Sequence, residues 1–284
     1  MGPEAVARPS DVMPPVANPL AESYLDVCKR CLTRGSYRAH SRVAGNRRWI
    51  PFAAASFVVK RFGFELVRRV DPVARDEGQD YTTDGDTMIG RARLDNLQEC
   101  VVNVLQEGVP GDLIETGVWR GGASIFMRAV LNAYGITDRT VWLADSFQGL
   151  PRPDPVRYPA DAGDELWKAS VLAVPVEDVK ANFAAYRLLD DQVRFLVGWF
   201  SDTLPSAPID RLAVLRLDGD LYESTMDALT ALYDRLSVGG YVIVDDYGAM
   251  ESCRRAVDDF RRERGISDAI ERIDWTGAYW RRTA

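Results

Sequence analysis

The chain has 284 residues, 46% of them hydrophobic and 27% charged, which suits a water-soluble globular protein with a full-sized core. A formal net charge of −7 excludes nucleic acid as a main partner, because a polyphosphate demands a basic face. The basic runs Arg254-Arg255 and Arg261-Arg262 are interleaved with acids and read as a solvated helix face.

Cys28, Cys31, Cys100 and Cys253 are too few for a disulfide framework in a chain this long. No signal peptide is visible, and the longest apolar stretch, Trp49 to Val59, is too short to span a bilayer. The expected location is the cytoplasm, with no membrane partner.

In chain order, residues 1–19 are rich in Pro and Ala, aperiodic, and expected to be disordered. From about Ala21 to Arg69 the pattern is helical, with Leu20, Tyr24, Val27, Cys31 and later Phe57, Phe62 and Leu66 at apolar positions. Cys28-x-x-Cys31 lies inside that pattern and reads as small residues on a helix face. Asp71 to Asp86 is an acidic surface loop. Arg91 to Gln106 is a helix with Leu94, Leu97, Val101, Val104 and Leu105 on one side. Residues 20–108 are therefore expected to form a helical N-terminal extension, and 109–284 an α/β domain.

That domain begins after Pro110-Gly111. Strands are expected at Asp112–Thr116, Val141–Ala144, Val193–Val197, Leu212–Leu217 and Tyr241–Val244, and helices at Ala123–Tyr134, Val176–Leu189, Ser224–Leu236 and Cys253–Arg264. A polar insertion runs from Pro151 to Glu165. Ile270–Ile273 and Ala278–Arg281 form a terminal hairpin around Trp275-Thr276-Gly277. Seven strands in this order fit a doubly wound, mostly parallel sheet with one antiparallel edge strand.

The acids Asp218-Gly219-Asp220 and Asp245-Asp246 each end an apolar strand, and a helix connects the two strands. A strand–helix–strand unit makes its strands parallel, so these acids share the carboxyl edge where open α/β sheets keep their sites. Asp after a strand also starts turns and caps helices. Several carboxylates at one edge repel one another unless a cation sits among them. Oxygen-only ligands suit Mg²⁺, Ca²⁺ or Mn²⁺, and with His40 the only histidine and Cys253 the only cysteine beyond residue 100 the sequence disfavours a zinc site of usual composition.

The loop Glu115-Thr116-Gly117-Val118-Trp119-Arg120-Gly121-Gly122 follows the first strand of this domain and opens a helix. Gly117-x-x-x-Gly121-Gly122 departs from the G-x-G-x-x-G of dinucleotide sites, and Glu115 would meet a pyrophosphate badly. An amino-acid tail carrying an ammonium group suits it better. At the end of the next strand, Asp145-Ser146-Phe147 offers a carboxylate for ribose hydroxyls. Joined to the metal acids, these features point to S-adenosylmethionine.

From Thr87 onward the chain resembles the macrocin O-methyltransferase family, with particular likeness to the aminocoumarin noviose O-methyltransferases. The motifs are IETGVWRGG (Ile114 to Gly122), ADSFQG (Ala144 to Gly149), GWFSDTLP (Gly198 to Pro205), DGDLYEST (Asp218 to Thr225) and LSVGGYVIVDDY (Leu236 to Tyr247). Residues 38–70 are longer than the family pattern. The resemblance implies a class I methyltransferase fold for 109–284, S-adenosylmethionine, Mg²⁺, and a deoxysugar hydroxyl of a glycosylated natural product as acceptor. It implies metal-ligand roles for Asp218, Asp245 and Asp246 and a general-base role for Asp220. It sets the Glu115–Gly121 loop (Thr116 and Gly117 included), Asp145 and Ser146 against the cofactor. Gly198, Trp199 and Phe200 would line the adenine, and Met88 would close over the methionine end. A homodimer is expected.

Asp220 has two open readings, base or fourth metal ligand, because a carboxylate two residues from a ligand is within reach of the ion. The competing functions are methylation of a catechol or other aromatic diol, and, in a different class, a nicotinamide-dependent oxidoreductase or a nucleotide-binding module.

Overall fold

The computed structural model describes residues 18–35, 40–42, 61–63, 67–69, 71–80 and 84–284. Helix α1 (Pro19–Leu32) starts where Asn18 accepts hydrogen bonds from the amides of Leu20 and Ala21 and Pro19 supplies the helical φ of the first turn. Of residues 1–19, expected to be disordered, 1–17 lie outside the described residues, whereas Asn18 and Pro19 form the start of α1. The expected helical run to Arg69 is corrected. After α1, strands β1 (His40–Arg42) and β2 (Val67–Arg69) pair antiparallel, and Phe57 and Leu66 lie outside the described residues.

The inward face of α1 is also different: Ala21, Leu25, Cys28 and Leu32 are buried, whereas Leu20 and Val27 are exposed. Both sets have helical spacing. Contact with a neighbouring helix, not periodicity, selects the first.

Helices α2 (Pro72–Asp76) and α3 (Arg91–Gln106) precede the main sheet. Then come β3 (Asp112–Thr116), α4 (Gly122–Ala133), β4 (Val141–Asp145), α5 (Val176–Ala185), β5 (Val193–Val197) and α6 (Phe200–Thr203). They are followed by β6 (Leu212–Leu217), α7 (Tyr222–Leu232), β7 (Leu236–Val244), α8 (Glu251–Arg264), β8 (Glu271–Arg272) and β9 (Ala278–Arg281). The sheet order is β5-β4-β3-β6-β7-β9-β8, with β3 to β7 parallel and β9 reversed. The reversed strand lies one place in from the edge, because the two-residue β8 folds back on it as the expected hairpin.

Alternate residues of each buried strand feed two apolar layers, as a pleated sheet covered on both faces requires. Leu113, Leu143, Val214 and Ile243 meet Leu25, Leu94, Val101, Phe126 and Phe183 on one face. Ile114, Leu215, Val242 and Val244 meet Leu229, Leu232, Val257, Phe260 and Trp280 on the other. Helices α1 and α3 thus share a core with the sheet. Arg261, expected in solvent, is buried over the Trp280 ring. Strand β7 starts five residues before the expected Tyr241 and carries Gly239 at φ +88 within it, with a register irregularity against β6. Among the described residues no helix is long and apolar enough to cross a membrane.

Trp280 is a fully buried anchor of the reversed strand. Trp280→Ala is expected to cost about 3–5 kcal/mol, read as a lower urea midpoint at unchanged slope.

Candidate active site

The carboxyl ends of five strands are stitched side by side by backbone hydrogen bonds. Gly117 N donates to Ala144 O at 2.9 Å, Asp218 N to Thr116 O at 2.8 Å, Asp245 N to Leu217 O at 2.9 Å, and Gly198 N to Asp145 O at 2.9 Å. This brings Asp145, the Glu115 loop, Asp218 and Asp245 into one row. Gly117 has φ +88, and a Cβ there would lie 1.7 Å from the Asp218 carbonyl oxygen, so only glycine allows the loop to touch the acid strand.

Two cavities open on this row. The first, of about 310 Å³, is lined by Gly117, Asp145, Ser146, Trp199 and Phe200. The second, of about 210 Å³, is lined by Glu115, Asp245, Asp246, Met250 and Trp275. Met88, Trp119, Leu172, Asp218 and Asp220 belong to both, so the cavities meet at the DGD turn.

The expected acids converge: carboxylate oxygens of Asp218, Asp245 and Asp246 lie within 4.8 Å of one another. Asp220 reaches the same junction by a route other than strand continuation. Its φ of +57 turns it out of the strand, held by Leu221 N to Gly219 O at 2.5 Å and by the Ser252 hydroxyl on its carbonyl at 3.1 Å. A non-glycine residue in this region is strained, and such strain clusters at functional sites.

Two arginines, whose importance was not read from the sequence, keep the cluster together. Arg216, 1% exposed, donates from one nitrogen to Glu115 at 2.6 Å and Asp218 at 2.8 Å, and from another to Asp245 at 2.5 Å. Arg93, also buried, donates to the other oxygen of Asp245 and to Asp274 at 3.0 Å. The available signal was a charged residue inside the run Leu212-Ala213-Val214-Leu215-Arg216-Leu217, where every other residue is apolar.

Burial and mutual repulsion raise the remaining acids. Burial, then the charges of Asp218 and Asp245, pushes Asp220 up to about 8. Asp246 is held well above the usual carboxylate range by burial and by Asp220, Asp218 and Asp245. Asp218 is raised by burial and Asp245 against the pull of Arg216.

This donor set fits a hard divalent cation. Three carboxylates converge, and one oxygen of Asp246 is buried without a hydrogen-bond partner in the protein, as a cation ligand would be.

On the cofactor side the geometry modifies the expectation. Burial pushes Glu115 up to about 7 against the pull of Arg216, and its two oxygens are taken by Arg216 and the Ser124 hydroxyl. Those bonds tie Glu115 to the strand and helix beneath the loop, at the wall of the second cavity. Asp145 accepts from the amides of Val118 at 2.6 Å and Phe147 at 2.7 Å, which offset the burial that raises its pKa. Thr116 is buried with its hydroxyl toward Arg216 O, Gly121 starts α4 at φ +90, and Gly198 shapes the turn after β5 at φ +146.

A doubly wound sheet with this strand order, a glycine loop after its first strand and an acid after its second is the class I methyltransferase fold. Residues 21–282 match the macrocin O-methyltransferase family model. The chain belongs to that family: it is an O-methyltransferase, with S-adenosylmethionine as its methyl donor. It is 53% identical over 92% of its length to the 8-demethyl-8-(2,3-dimethoxy-alpha-L-rhamnosyl)-tetracenomycin-C 4'-O-methyltransferase of Streptomyces olivaceus, covering 93% of that protein. It is 57% identical over 74% of its length to the demethyldecarbamoylnovobiocin O-methyltransferase of Streptomyces niveus, covering 80% of it. The solved structure of the O-methyltransferase NovP superposes with a TM-score of 0.83 at 47% identity, over 93% of this chain and all of that one.

Arg216→Met leaves buried carboxylates without their counter-charge and is expected to cost about 3–5 kcal/mol in chemical denaturation. A loss under about 1 kcal/mol would show that Arg216 does not hold the cluster.

Proposed function

We propose that the enzyme is a Mg²⁺-dependent methyltransferase that moves a methyl group from S-adenosylmethionine to a deoxysugar hydroxyl of a glycosylated natural product in antibiotic biosynthesis. The observation that carries this reading is the junction of the two cavities at Asp218 and Asp220. A donor in the first cavity and an acceptor in the second would meet where the acids converge. The relatives are named for methylating glycosides, which favours a sugar over a catechol.

In the first cavity Asp145 would accept ribose hydroxyls, and Trp199 and Phe200 would flank the adenine. Ser146, Gly117 and the start of α4 would face the rest of the donor, with Met88 over its methionine end. Glu115 acts through Arg216, holding the loop and the acid cluster in register.

In the second cavity Asp218, Asp245 and Asp246 would hold the ion. A sugar hydroxyl is a poor nucleophile at neutral pH, and a carboxylate of ordinary pKa, about 3.9, cannot deprotonate it alone. The bound cation supplies acidification of the hydroxyl, an effect worth roughly 9 pKa units for water on zinc. Asp220 then takes the proton as the methyl moves, a contribution of about 10²–10⁴-fold. Asp220 stands outside the trio of mutually close carboxylates, which supports the base over the fourth-ligand reading.

EDTA is expected to abolish turnover and Mg²⁺ to restore it; full turnover in metal-free enzyme would contradict the metal role. Asp220→Asn is expected to lose at least about 10² in rate at every Mg²⁺ concentration. Recovery at high Mg²⁺ would make Asp220 a ligand instead. Asp145→Ala should weaken donor binding about tenfold or more in calorimetry, and unchanged affinity would displace it from the ribose. A panel of deoxysugar glycosides, scored by mass for products one methyl heavier, tests the acceptor class.

A further inference from the structure

Residues 151–175 form the stretch between β4 and α5, and it supplies Arg152, Leu166 and Leu172 to the walls of the two cavities. Its apolar contact with the core is confined to its far end, where Val174 packs half-buried. Val156, Trp167 and Val171 are exposed, and the one buried residue between 151 and 175 is an acid, Asp161. Apolar burial is what ordinarily holds a segment to a domain, so the position of its middle rests on specific polar contacts.

Two such contacts span it. Near its far end, the Trp119 indole N–H donates to Val171 O at 2.9 Å, joining the segment to the glycine loop. In its middle, Asp161 accepts Tyr222 N at 2.7 Å and Glu223 N at 3.0 Å. Those amides open α7, directly after the turn that carries Asp220, and no side chain of α7's own N-terminal region caps them. A carboxylate at a helix start, with each oxygen on a free amide, is a strong tie because charge, helix dipole and hydrogen bonds act together. The Tyr158 and Tyr222 rings, 6.1 Å apart, brace the same joint.

We infer that Asp161 is a positioning residue: it fastens the 151–175 segment to the Asp220 turn and so sets the acceptor side of the cavity. The consequence reaches both partners of the tie. Leu166, which lines the second cavity alone, is held in its wall, and the start of α7 is held where Asp220 keeps its strained conformation, while Leu172 of the shared wall lies next to the Trp119 tie. Asp161 lines neither cavity; it acts through Leu166 and Asp220. The inference rests on the acceptor occupying the second cavity.

The test compares Asp161→Ala and Asp161→Asn with wild type in Mg²⁺, measuring acceptor KM, kcat, and S-adenosylhomocysteine affinity by calorimetry. Asp161→Ala is expected to lower acceptor kcat/KM by about tenfold or more, while S-adenosylhomocysteine affinity stays within about twofold. Asp161→Asn, which keeps one acceptor oxygen, should fall between, and it serves alone if the alanine variant does not fold. Wild-type acceptor kcat/KM in a folded variant overturns the inference, and so does a parallel loss of S-adenosylhomocysteine affinity. If wild type methylates no glycoside, the functional reading has failed instead, and this is seen before any variant is made.

Discussion

Buried acids of one sign cannot be gathered at a sheet edge without compensation, and here the compensation is Arg216. Its guanidinium reaches Glu115 under the glycine loop, Asp218 on its own strand and Asp245 on the next. A planar fork of five donors reaches carboxylates on three sides at a wider spacing than a compact ammonium does. Arg93 grips Asp245 from the other side and carries the restraint to Asp274 in the C-terminal hairpin. The two arginines still leave Asp220 and Asp246 uncompensated, and both are raised far above ordinary carboxylates. A site left short of positive charge by its own side chains suits the cation proposed above.

Backbone geometry makes this arrangement continuous with the donor side. Because Gly117 lets the loop after β3 lie against the Asp218 carbonyl, the first cavity and the acid cluster share a wall. The left-handed turn at Asp220 then faces its carboxylate group toward the shared junction rather than along the sheet. A transfer reaction needs donor and acceptor in near contact with the reacting atoms aligned, and a shared wall made of acids supplies both closeness and charge.

Much of this was legible in the sequence because strands buried on both faces are near-continuous apolar runs. The acids that close those runs, Asp145, Asp218 and Asp245, therefore announced the carboxyl edge. What escaped has physical reasons. Two interleaved helical stripes in α1 fit the same periodicity, and only packing chose Leu25 and Cys28 over Val27 and Cys31. Gly239 and Gly240 read as a loop, yet the longer β7 accommodates them through a register irregularity. The sequence does not reveal that Glu115 is tied to Arg216, about a hundred positions away. Asp161 sits in a polar stretch where nothing local distinguishes it from its exposed neighbours; its partners are the amides of a distant helix start.

The central claim is that Asp218, Asp245 and Asp246 form one cation site at the junction of donor and acceptor cavities. Crystals grown with Mn²⁺ and S-adenosylhomocysteine test it most directly, through the anomalous scattering of manganese. The account predicts a single strong peak within bonding distance of oxygens from all three carboxylates, beside Asp220. Full donor density with no manganese among these acids would contradict it.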